Sequence, residues 1–89
     1  MKPAHADDAR VVVYSRPDCH LCEVAEALVA ETCAATGDSW TRVDITGDDD
    51  LTARFTDQVP VTFVDGAQHD FWRVDPSRLR TALAGGRAV

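Results

Sequence analysis

Residues 11–22 read V-V-V-Y-S-R-P-D-C-H-L-C and run directly into a helical pattern. An apolar, β-branched run followed at once by C-x-x-C puts two thiols where a buried strand hands over to a helix N-terminus. Unpaired backbone N–H groups and the positive end of the helix dipole meet at such a place. They stabilise a thiolate, the form of cysteine that attacks disulfides. The run 11–14 is continuous rather than alternating, which fits a strand buried on both faces. Pro17 and Asp18 then turn the chain.

From His20 to Thr36 the spacing predicts a helix. Leu21, Val24, Ala25, Leu28 and Thr32 form its expected core stripe, and Glu23, Glu26 and Ala30 lie opposite. Gly37 suits a left-handed C-terminal cap. Trp40 to Ile45 alternates as a half-buried edge strand does, with Thr41, Val43 and Ile45 on one side. A helix of this length between two strands makes a right-handed crossover and a parallel pair.

Asp48, Asp49 and Asp50 read as a cap and dipole-favourable charge for a short helix pinned by Leu51 and Phe55. Calcium-loop spacing does not continue beyond them. Val59-Pro60 stops that helix, because the residue before proline avoids the α region. Asp65-Gly66 between the runs 61–64 and 67–72 is a strong hairpin signal. Asp75-Pro76 opens the last helix as N-cap and first residue, with Leu79 and Leu83 buried and Gly85 and Gly86 closing it. The expected organisation is a polar leader over 1–9, with no role for His5, one domain over 10–85, and a tail over 86–89.

Eighty-nine residues suffice for one domain with little core to spare. The leader lacks the apolar stretch of a signal peptide, and no run approaches the ~20 apolar residues of a membrane span. Three cysteines are too few for a secreted disulfide scaffold, so the cytoplasm is the expected compartment. A net charge of −6 argues against nucleic acid and anionic membrane surfaces as partners. In this setting C-x-x-C beside a βαβ pattern reads as a dithiol redox motif.

This order of elements, with S-R-P-D-C-H-L-C at the first helix and Q-V-P-V-T-F-V-D-G at the third strand, resembles the thioredoxin fold. The small glutaredoxin-like branch fits best, over residues 10–84. The resemblance implies an α/β three-layer sandwich, βαβ-α-ββα, with a four-stranded mixed sheet in the order 2-1-3-4. It also implies a cis Val59–Pro60 bond lying beside Cys19. A cis bond would not be expected from base rates, since only ~5–6% of X–Pro bonds are cis.

By the same resemblance, Cys19 is the exposed nucleophile that attacks a substrate disulfide. Cys22, one turn into the helix and better shielded, resolves the mixed disulfide. Arg16 stands where many glutaredoxins carry a cation and favours the thiolate. His20 and Leu21 replace the proline and aromatic that glutaredoxins often have inside the motif. His20 would stabilise the thiolate when protonated, or shuttle a proton when neutral. Asp18 acts in the opposite sense, and the expected Cys19 pKa is about 5–7.5. Cys33 lies ~16 Å along the helix from Cys22, beyond disulfide reach, and reads as a small buried hydrophobe.

Glutathione-binding members carry a Gly-Gly pair after the fourth strand. Here the region is H-D-F-W-R-V-D, residues 69–75, which argues against glutathione. The expected partners are protein disulfides or another small thiol such as mycothiol. Val59 and Pro60 are assigned to substrate binding, and so is Trp72, for which a cover over the edge strand is the favoured alternative. No cofactor is required, and a monomer is expected. His20 and His69 could join the dithiol in a zinc site, but C-x-x-C alone supplies only two of four ligands and no second C-x-x-C is present. A redox-sensing or redox-inactive interaction domain and a metal or iron–sulfur module are the alternative functions.

Overall fold

The computed structural model describes residues 9–87. The expected leader as far as residue 8, including His5, lies outside them, and so do residues 88 and 89. Strands β1 (Val11–Ser15), β2 (Trp40–Asp44), β3 (Val61–Val64) and β4 (Ala67–Phe71) alternate with helices α1 (His20–Thr36), α2 (Asp49–Phe55) and α3 (Pro76–Arg87). A 3₁₀ turn, Ile45–Gly47, links β2 to α2, so the expected strand ends one residue earlier than its alternation suggests.

The sheet order is β2-β1-β3-β4. β1 runs parallel to β2 and antiparallel to β3, with Val13 opposite both Arg42 and Thr62. The Asp65-Gly66 turn has φ of 52° and 85°, the two positive values a tight two-residue hairpin needs. β4 pairs with β3 but slips once: Gln68 faces Phe63 and Asp70 faces Thr62, leaving His69 as the extra residue of a β-bulge.

Period-2 alternation divides the apolar residues between two cores. Val11, Val13 and Val64 face α1 and α3, where Ala25, Val29, Cys33, Leu79 and Leu83 meet them. On the other face Val61 packs with Ile45, Phe55 and Val59 beneath α2. Tyr14, Phe55 and Phe63 form a ring cluster there, with Tyr14–Phe55 centroids 5.2 Å apart and Tyr14–Phe63 edge-on at 5.4 Å. The result is three layers, with α1 and α3 against one face and α2 against the other. Each buried Val or Leu contributes ~1.5–3 kcal/mol, so a domain of this size depends on nearly all of them.

Two expectations about the helices need correction. On α1 the buried residues are Cys22, Ala25, Val29, Thr32 and Cys33, whereas Leu21 and Val24 are exposed and Leu28 is half-buried. The helix carries two apolar stripes one position apart, and packing of Cys22 into the second core selects the other one. On α3, Gly85 and Gly86 do not close the helix, which runs to Arg87. Gly85 has no positive φ and therefore does not act as a left-handed cap.

Arg10, just before β1, ties the end of the sheet away from the cysteines. Its guanidinium donates to Asp38 at 2.8 Å, to both carboxylate oxygens of Asp65 at 2.9 and 2.8 Å, and to the Leu83 carbonyl at 2.9 Å. One side chain thus joins the α1–β2 loop, the hairpin turn and α3.

Candidate functional site

The C-terminal end of β1 delivers the chain to the head of α1 through Pro17 and Asp18. Asp18 is exposed and has φ of 58°, a left-handed conformation that aspartate tolerates better than most residues. Cys19 follows as the N-cap, with extended backbone, and its sulfur accepts a hydrogen bond from the Cys22 N–H at 3.2 Å. That N–H is one of the helix's unpaired N-terminal donors. Cys19 and Cys22 are joined as a disulfide with Cα atoms 5.2 Å apart, the oxidised form of the pair. Cys19 is partly exposed, whereas Cys22 is buried, with only 1% of its surface exposed.

Both sulfurs sit on the second core, where Val59 also packs. The Val59–Pro60 bond is cis. Val59 is one of the residues expected to bind substrate, and its N–H donates to the Phe55 carbonyl at 3.0 Å. A substrate strand therefore cannot take that donor without breaking a helix-end hydrogen bond.

Trp72 lies just past β4 with φ of 65°, a conformation that costs a bulky residue ~1–2 kcal/mol. Two hydrogen bonds hold it there. Its backbone N–H donates to the Pro60 carbonyl at 2.8 Å, and its indole N–H to the Asp57 carbonyl at 3.0 Å. Trp72 thus covers the segment that carries the cis proline, and half of its surface stays exposed. Arg16 and His20 are both exposed, and neither forms an ion pair with another described residue. In the chain Arg16 precedes the dithiol and its turn, and His20 lies inside the motif as the first residue of α1.

Cys33 is buried eleven residues along α1 and takes no part in the site. Burial pushes its thiol pKa up, and the Asp38 charge adds to the effect. His69 stands in the β4 bulge next to Asp70, with Nε2 3.5 Å from an Asp70 oxygen. Among the described residues no group of three or more His, Cys, Asp or Glu side chains is arranged to hold a metal ion. None of the described helices is long and apolar enough to cross a membrane.

Sequence reasoning missed the exposed pair Leu21 and Val24. Together with Trp72 and Arg73 they line a groove beside the dithiol. The available signal was the competing stripe of Cys22, Ala25, Val29 and Cys33, which would have turned Leu21 and Val24 outward. For Arg73 the sequence carries no signal.

A helix capped by the first cysteine of C-x-x-C, packed on a mixed 2-1-3-4 sheet beside a cis proline, defines a glutaredoxin-like protein of the thioredoxin fold. The chain belongs to the glutaredoxin-like domain family (DUF836), which it matches over residues 10–84. It is 37% identical over 81 residues to an uncharacterised protein of Mycobacterium tuberculosis, covering 84% of this chain and 82% of the relative. An X-ray structure of a structural-genomics target from X. campestris superposes with a TM-score of 0.65 at 32% identity, covering 84% of this chain and 96% of that one. Glutaredoxin C1 from Populus tremula x tremuloides, crystallised in its holo form, gives a TM-score of 0.61 at 24% identity and shares the fold, with 97% and 86% covered.

Proposed function

We propose that the protein is a dithiol–disulfide oxidoreductase. The Cys19 thiolate attacks one sulfur of a substrate disulfide, the substrate S–S bond breaks, and one substrate thiolate leaves. The Cys22 thiolate then attacks the Cys19 sulfur and expels the second substrate thiolate. Two electrons pass to the substrate, and Cys19–Cys22 becomes the disulfide. The observation that carries the reading is the Cys22 N–H aimed at the Cys19 sulfur at the head of α1. A donor in that place favours the thiolate both as attacking and as leaving group.

Arg16 and His20 add positive charge near the motif in this reading, and no cofactor is needed. The substrates are disulfides of proteins or of small thiols, met by a monomer in a reducing, cytoplasmic compartment. The test is reduction of hydroxyethyl disulfide by the fully reduced protein. Cys19→Ser is expected to abolish the reaction. Cys22→Ser is expected to stop at a mixed disulfide on Cys19, visible as an added mass. Full activity in Cys19→Ser would remove the reading.

A further inference from the structure

Leu21, Val24 and Trp72 are the large apolar side chains exposed among the described residues, and all three line the same groove. Leu28 and Val74 extend its wall, and Arg73 is the one charged residue in its lining among the described residues. The groove measures about 150 Å³. Pockets that enclose a whole small-molecule ligand start near ~300 Å³, so this one is sized for a single side chain. It lies beside the C-x-x-C turn, because Leu21 is itself inside the motif.

The Trp72 wall is kept at a backbone cost. A residue with positive φ, anchored to Pro60 and Asp57 at the rim of a reactive site, is strain retained where it shapes that site. The charge pattern identifies what would sit there. Arg10, Arg42 and Arg78 are each paired with carboxylates. Arg73, like Arg16, Arg54 and Arg80, is exposed and has no such pair among the described residues, and of these four it alone lines the groove, in a chain whose net charge is −6. An unpaired guanidinium at the edge of an apolar groove is complementary to an apolar side chain with a carboxylate beside it. The engaged Val59 N–H points the same way, since it leaves less of the recognition to backbone pairing.

We infer that this groove is the specificity site for the polypeptide around the substrate disulfide. It takes one aliphatic or aromatic side chain next to the reacting cysteine, and Arg73 meets an acidic residue beside it. The inference rests on the dithiol reading proposed above. Glutathione, which has no apolar side chain, does not fill the groove.

The test uses the fully reduced protein in stopped flow. The probes are peptides Glu-Leu-Cys, Glu-Ser-Cys and Lys-Leu-Cys, each as a mixed disulfide with 2-nitro-5-thiobenzoate, and hydroxyethyl disulfide serves as a probe with no flanking residues. Attack by Cys19 on the peptide sulfur releases the coloured thiolate and leaves the peptide on Cys19. Glu-Leu-Cys is expected to react about tenfold faster than either other peptide. Trp72→Ala should collapse the Leu-to-Ser ratio towards unity, and Arg73→Glu should invert the Glu-to-Lys ratio. Val24→Ser, on the opposite wall, reads the Leu-to-Ser ratio independently if Trp72→Ala does not fold. Equal wild-type rates for all three peptides, with hydroxyethyl disulfide still reduced, would overturn this inference alone. No reaction with hydroxyethyl disulfide would overturn the dithiol reading, and this inference with it.

Discussion

Replacing Arg10 by alanine removes the clamp at the end of the sheet away from the dithiol, and the loss can be estimated contact by contact. The Asp38 side chain is only 6% exposed, and Arg10 itself 22%. Breaking a fully buried ion pair costs ~3–5 kcal/mol, and partial exposure brings this pair towards or below the lower end. Asp65 is 42% exposed, so its fork adds at most ~1 kcal/mol. The bond to the Leu83 carbonyl, from a charged donor, is worth ~1.5–3 kcal/mol where buried and less here. These contributions share one side chain and do not add fully, which puts the expected loss at about 2–4 kcal/mol. At ~4–8 °C per kcal/mol in a domain of this size, Tm should fall by roughly 8–32 °C. Urea unfolding should show a lower midpoint with an unchanged slope. Asp65→Asn alone should cost ~1 kcal/mol or less. A loss below ~1 kcal/mol for Arg10→Ala, or an equal loss for Asp65→Asn, would refute the argument that the buried Asp38 contact dominates.

Further outcomes follow from single residues. Hydrogen bonding to Arg10 holds the Asp65 carboxyl below the usual carboxylate range. Its stabilisation is therefore complete above the unfolded pKa of ~3.9 and is lost as pH falls through the lower folded value. Asp65→Asn should flatten that acid limb in a urea series at several pH values, and an unchanged limb would contradict it. At position 72 glycine should be more stable than alanine by about 1 kcal/mol, since both lose the indole contacts but only alanine keeps the positive-φ cost. Urea midpoints that place alanine first would show that the backbone there relaxes. Asp48→Ala removes the side chain that accepts from the Asp50 and Leu51 N–H groups, and should cost ~1 kcal/mol by the same measurement. Cys33, buried and with its thiol pKa pushed up, should resist iodoacetamide in the folded protein and label only on unfolding. Labelling under native conditions would contradict its burial.

The elements that sequence made legible are those set by local chemistry. The V-V-V-Y run, the Asp65-Gly66 turn, the Asp48 cap and the Asp75-Pro76 helix start each depend on neighbours within a few residues. The dithiol at the head of α1 belongs with them, because a cysteine N-cap is a local event. The features that escaped are settled by distant contacts. Periodicity allows two apolar stripes on α1, and only the sheet and the second core decide that Cys22 turns in and Leu21 turns out. Arg10 reaches partners 28, 55 and 73 residues away, and no local pattern encodes that. The His69 bulge and the positive φ of Trp72 arise where β4 must meet both β3 and the cis-proline segment. The groove is a product of these non-local choices, which is why Arg73 carried no signal.

The central claim is that the head of α1 activates Cys19. Alkylation of the fully reduced protein from about pH 4 to pH 10, with mass mapping of each cysteine, tests it directly. The account predicts that Cys19 reacts first, with an apparent pKa well below the free value of ~8.5, while Cys33 stays protected. A Cys19 that titrates as an ordinary thiol, or a Cys33 that outpaces it, would contradict the account.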